Sequence, residues 1–98
     1  MTRPRPKTDE VRLLQAMGSP VRWRILRRLA DDACVVADLV ETTGEAQSTV
    51  SQHLLVLRQA GLVQCEKRSI WRRYALAPGV ASFLDQVLAL KTALNPEK

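Results

Sequence analysis

The sequence predicts a mainly α fold with a small β-hairpin, in the order α-α-(β)-α-α-β-β-α. Three observations predict it. Five stretches repeat apolar residues at three- and four-residue spacing, the period of a helix with one buried side. Cap-forming residues, glycines and prolines punctuate those stretches where helices should start and stop. One segment, "LVQCEKRSIWRRYAL", instead reads as two short β-prone runs around a tight turn. With 98 residues, 46% hydrophobic and 26% charged, the chain has the size and composition of one folded domain.

Each element follows from its own residues. "MTRPRPK" packs two prolines and three bases into seven positions and reads as a flexible basic arm, leaving residues 8–95 as the domain. Thr8 can cap a first helix whose first turn holds Asp9 and Glu10, where carboxylates suit the helix dipole. Val11, Leu14 and Met17 give it an apolar side, and Gly18 ends it. Ser19 and Pro20 start a second helix as cap and first helical residue, with Val21, Ile25, Leu26 and Leu29 on one face. "ACVV" is a short β-prone stretch, and "ADLVETTG" is a two-turn helix closed by Gly44. Gln47 to Gln59 forms the fourth helix, and Gly61 separates it from the hairpin. The last helix carries Val80, Leu84, Val87, Leu88 and Leu94, and Pro96 stops it.

Charge is distributed in blocks. Residues 1–30 hold eight Lys/Arg against two Asp/Glu, residues 31–45 hold five acids and no base, and residues 46–77 hold five bases against one acid. A basic block over residues 46–77 fits a polyanion partner, and it fits an unevenly charged soluble surface as well. No apolar run approaches the roughly 20 residues that cross a bilayer, and no apolar region follows the basic N-terminus as in a secretory signal. The expected setting is the cytoplasm, without membrane contact. No nucleophile–base pair, carboxylate pair or glycine-rich phosphate loop is visible, so an enzyme is not expected. Cys34 and Cys65 stand in no CxxC or Cys/His cluster, and His53 is the single histidine, so no protein-built metal site is expected.

The stretch "QSTVSQHLLVLRQAGLV" carries the functional signal. On a helix, Val50, Leu54 and Leu57 converge on one side, while Ser48 and Gln52 point nearly opposite. The preceding short helix and its glycine-containing turn complete a helix-turn-helix, whose second helix presents its N-terminal residues to the major groove. Gln can pair bidentately with adenine, and Ser or Thr hydroxyls can meet bases or phosphates. The other reading of these residues is an amphipathic surface helix that touches nothing. The hairpin favours DNA: Lys67, Arg68, Arg72 and Arg73 make it a basic "wing" suited to gripping phosphates. Strand alternation sends Arg72 one way and Trp71 with Arg73 the other. Trp71 could stack or cover apolar surface, and Tyr74 suits packing. The candidate DNA contacts are Gln47, Ser48, Thr49, Ser51, Gln52, His53, Lys67, Arg68, Arg72 and Arg73. His53, at the edge of the buried stripe, suits a packed role as well as a phosphate contact.

"MGSPVRWRILRRLA", "STVSQHLLVLRQAGLV" and the hairpin ending "YAL" resemble the ArsR/SmtB-type winged helix-turn-helix repressors over most of the chain, to Leu76. The resemblance implies a homodimer built on the first and last helices, with Leu14, Val80, Leu84, Val87 and Leu88 at its interface. It also implies binding to double-stranded DNA with two-fold symmetry and release by an inducer, which the sequence leaves unidentified. Departures qualify it. Aligned on Leu39, the family's metalloid-binding Cys-x-Cys pair falls on Val35 and Ala37. The last-helix zinc site needs histidine ligands, and this helix offers only Asp85. The recognition helix lacks the cysteines of some heavy-metal sensors, so the expected cofactor is none. Ala46 replaces a usual Ser or Thr cap, Ser69 a usual wing-turn glycine, and Glu66 a usual base. The strand order of such folds places the second wing strand between Cys34 and Cys65, about 9–10 Å apart. That is beyond direct bridging, so inert thiols are the default and a redox switch the lesser reading. Two functions compete: a dimeric repressor that reads DNA sequence, and a protein-interaction module that kept the scaffold without reading DNA.

Overall fold

Five helices and one hairpin occupy residues 9–95, the part of the chain that the computed structural model describes: α1 (Asp9–Met17), α2 (Pro20–Asp31), α3 (Val36–Thr43), α4 (Gln47–Gln59), β1 (Val63–Arg68), β2 (Trp71–Leu76) and α5 (Val80–Leu94). The order matches the expected one. The basic arm, the Thr8 cap and the Pro96 stop lie outside the described residues.

Local chemistry sets most boundaries. The Ser19 hydroxyl accepts a hydrogen bond from the Arg22 amide at 3.2 Å, and Pro20 occupies the first turn, so α2 starts where the sequence places it. α3 begins one residue before the expected stretch. Val35 has no side-chain acceptor for a cap, but the Asp38 carboxylate reaches back to accept from the Val35 amide at 3.3 Å. Gly44 closes α3 at φ 74°, a left-handed conformation that costs a residue with a Cβ. Beyond α4, Gly61 at φ 82° lets the Leu62 amide bond the Leu57 carbonyl at 3.0 Å, a Schellman closure with Leu57 and Leu62 both buried.

The hairpin pairs Val63 with Leu76, Cys65 with Tyr74 and Lys67 with Arg72. "ACVV" contributes a single bridge, Cys34 to Tyr74, on the far side of β2. Ser69, at the turn, is the one described residue other than glycine at positive φ (53°). Ile25, Leu26, Leu39, Val50, Leu54, Leu57 and Leu84 are fully buried, so α2, α3, α4 and the start of α5 share one core under the hairpin's root.

That burial already engages two residues of the expected subunit interface within the chain itself. Val80 is 8% exposed and Leu84 1%, so both are spent inside this chain's own core. α5 has two apolar faces: Val80, Leu84 and half-buried Leu88 turn inward, whereas Phe83, Leu90 and Leu94 remain exposed. Leu14 is exposed at 57%. Among the described residues, no helix is long and apolar enough to cross a membrane.

Candidate nucleic-acid interface

α3, the turn at residues 44–46 and α4 form the helix-turn-helix. Thr43, which sequence reasoning passed over, locks the turn. It is buried, its hydroxyl donates to the Leu39 carbonyl at 2.8 Å, and it accepts from the Glu45 amide at 3.2 Å. On α4, Val50, Leu54 and Leu57 are at most 1% exposed, while Gln47, Ser48, Ser51 and Gln52 lie open to solvent. Thr49 is half-buried at the flank. No side chain caps the helix at Ala46, so the first-turn amides have no side-chain acceptor and add a partial positive charge beside the hydroxyls. The open face holds neutral donors and acceptors in its N-terminal half and exposed Leu55 and Val56 beyond them, with no carboxylate between Gln47 and Ala60.

His53 is packed and hydrogen-bonded. Its partner is Arg22 of α2, a residue to which the sequence analysis assigned no role. Arg22 donates from Nη1 to His53 Nδ1 at 3.2 Å, from Nε to the Ala16 carbonyl at 2.6 Å and from Nη2 to the Gln15 carbonyl at 3.4 Å. One side chain therefore bonds two carbonyls at the end of α1, of which Gln15's also accepts from the Gly18 amide at 3.2 Å, and holds a ring on α4. The only sequence signal was an arginine just after a helix break, within reach of the preceding helix's end.

The hairpin divides its four bases. Arg68 and Arg73 lie on the outer face with Glu66, whose carboxylate meets Arg68 Nη2 at 2.9 Å and Arg73 Nη2 at 3.8 Å. Lys67 and Arg72 lie on the opposite face, in register with Cys65 and Tyr74. Neither has a carboxylate partner among the described residues. The four expected wing bases thus separate into two without an acid and two sharing one. The shared pair is exposed, so Glu66 lowers local charge more than it adds stability. Trp71 is 42% exposed on the outer face, and Ile70 at the turn is 97% exposed.

Tyr74 is buried as expected and stands between the two cysteines, paired with Cys65 on one side and bridged to Cys34 on the other. That places the thiols two strand spacings apart, and both are free. Burial pushes the Cys34 thiol up from its ordinary value, against the pull of Arg28, so Cys34 holds less of the reactive thiolate. Burial also raises the Tyr74 hydroxyl, and Cys65 adds to the rise while Arg72 opposes it.

At the other end, α1 and the start of α5 enclose an open apolar groove of about 390 Å³, lined by Leu13, Leu14, Met17, Leu62, Val80 and Phe83. No group of three or more His, Cys, Asp or Glu side chains is placed to hold a metal ion among the described residues.

Comparison with known proteins agrees with this geometry. Residues 19–64, from the Ser19 cap to the first wing strand, match the family described as bacterial regulatory protein, arsR family. Over 67 residues the chain is 46% identical to ArsR2 of Halobacterium salinarum, covering 66% of this chain and 56% of that protein. Over 88 residues it is 35% identical to the HTH-type transcriptional regulator CmtR of Mycobacterium tuberculosis, covering 89% of this chain and 75% of that one. Among solved structures it superposes with a TM-score of 0.81 on the homodimeric winged helix-turn-helix DNA-binding domain of Mb0332 from Mycobacterium bovis. That pair is 25% identical, covering 88% of this chain and 82% of the other.

Proposed function

This chain belongs to the arsR family of bacterial regulatory proteins and is a DNA-binding transcriptional regulator, and from that premise we propose a homodimeric, sequence-reading repressor released by a signal. One observation carries the reading. Ser48 and Gln52 stand open to solvent because Val50, Leu54 and Leu57 anchor the opposite side of α4. Gln47, Ser48, Ser51 and Gln52 meet base edges and nearby phosphates, and Lys67 and Arg72 grip the backbone from the wing. Arg68 and Arg73 contribute less because Glu66 shares their charge.

A second copy covers the apolar end. Leu13, Leu14 and Phe83 border the groove, and Leu90 and Leu94 extend the same α5 stripe at helical spacing. The homodimeric state of the Mb0332 domain supports that occupant. Two copies related by a two-fold axis would present two α4 helices to adjacent major-groove turns, which calls for a palindromic site.

The protein acts in the cytoplasm, without enzymatic chemistry or a resident cofactor. The family's usual thiolate positions hold Val35 and Ala37, which cannot ligate a metalloid. The test is a gel-shift titration against the DNA upstream of its own gene at several salt concentrations. The expected result is preference over random duplex and a steep loss of affinity with salt. Equal binding to both DNAs would exclude the repressor, and a flat salt response would exclude the wing's phosphate contacts.

A further inference from the structure

The Arg22–His53 contact has a chemical consequence for the DNA-binding face. A guanidinium donates five hydrogen bonds and accepts none, so at 3.2 Å from Arg22 Nη1 the His53 Nδ1 must be the acceptor. The imidazole proton then resides on Nε2. Among the described residues Nε2 makes no hydrogen bond, and no buried side-chain nitrogen or oxygen is left unpartnered. Half-buried His53 therefore offers a single N–H donor to solvent from the recognition helix.

Its position selects what that donor meets. At about 100° per residue, His53 lies one turn beyond Thr49, in a column roughly 100° around α4 from Gln52. The Ser48–Gln52 column faces the floor of a groove, where base edges lie; a flanking column faces its wall, where phosphates lie. We propose that His53 Nε2–H donates to a DNA backbone phosphate, with Arg22 as the positioning residue that sets the tautomer and holds the ring. This rests on the DNA-binding reading above. Arg22 is itself held by the Ala16 and Gln15 carbonyls, so the donor is indexed to the last turn of α1, the helix that borders the apolar groove.

An uncharged donor leaves a signature that a lysine or arginine does not. It adds affinity without releasing a counterion, so its loss weakens binding to every duplex alike and leaves the salt slope unchanged. Because His53 is the chain's single histidine, its ring nitrogens can be read directly by ¹⁵N NMR. The free protein should show the Nε2–H tautomer alone, the Arg22→Gln variant a mixture, and addition of a duplex containing the selected site should shift the Nε2 resonance. His53→Asn keeps an acceptor near Nδ1 for Arg22 but loses the distal donor, and should bind about tenfold more weakly at an unchanged salt slope. His53→Gln, whose amide nitrogen reaches the Nε2 position, should recover most of that loss. Helical circular dichroism of both His53 variants reports folding independently of Arg22.

An Nδ1–H tautomer in the free protein would overturn the proposal. So would a wild-type complex in which Nε2 does not shift, or a His53→Asn variant that binds like wild type. A fall in salt slope would assign a charged contact instead and overturn it too. Wild-type protein that binds no duplex would sink the DNA-binding reading, and this proposal with it.

Discussion

α4 and α5 are built alike on their inner sides and oppositely on their outer ones. Each turns an apolar stripe at helical spacing into the shared core: Val50, Leu54 and Leu57 from α4, Val80 and Leu84 from α5. Outside, the N-terminal half of α4 presents Ser48, Ser51 and Gln52, with Leu55 and Val56 exposed beyond them, whereas α5 presents Phe83, Leu90 and Leu94. The inner stripe tells only that the helix is packed. The outer face carries information about the partner, because exposed hydroxyls and amides gain from a hydrogen-bonding surface and exposed leucines gain from leaving water.

The contrast can be broken from either side. The largest effect should come from the common inner stripe: Leu54→Ala removes a side chain 1% exposed and should cost about 2–5 kcal/mol, read by urea unfolding. A cost below 1 kcal/mol would mean that α4 is not anchored as described. Next is the outer face of α5. Burying Phe83 or Leu90 against a partner is worth about 1.5–3 kcal/mol each, so Phe83→Glu with Leu90→Glu should convert a dimer to a folded monomer in sedimentation velocity. An unchanged mass would place the interface elsewhere.

On the outer face of α4, Gln52→Ala should lose about 1–3 kcal/mol of discrimination between the preferred site and its single-base variants, measured by competition binding. A uniform loss across all sequences would remove Gln52 from the groove floor. On the wing, Arg72→Ala should lower the salt slope by about one unit, whereas Arg73→Ala should lower it less and Glu66→Gln should raise it. Equal slopes for the two arginine variants would show that the Glu66 pairing does not persist in solution. The smallest effect belongs to the turn. Ser69→Gly relieves a left-handed φ costing about 1–2 kcal/mol and gives part of it back in chain entropy. A rise in melting temperature of about 2–4 °C is expected by calorimetry.

Much of this was legible before any coordinates. Ser19 and Pro20, Gly44 and Gly61 marked helix ends through interactions spanning at most a few residues, and the α4 stripe followed from period alone. The Tyr74 strand between the two cysteines agrees with the order expected from the resemblance. The missed features share one property: they join residues far apart in the chain or choose between equivalent local patterns. Arg22 and His53 are 31 residues apart, and an arginine on a polar helix face gives no sign of what it reaches. Val80, Leu84, Val87 and Leu88 all satisfied a helical apolar period, but α5 carries two such stripes and period cannot say which one faces inward.

The sequence by itself determined most interior helix ends to within a residue, which side of α4 is buried, and that hydroxyls and amides occupy the opposite side of its N-terminal half. These depend on backbone capping and side-chain periodicity, which act over one or two turns. Only the tertiary structure decided which α5 stripe enters the core, which wing arginines share Glu66, and that Arg22 joins the end of α1 to the ring of His53. Those outcomes depend on how the packed elements orient their side chains in space, a relation that local spacing does not encode.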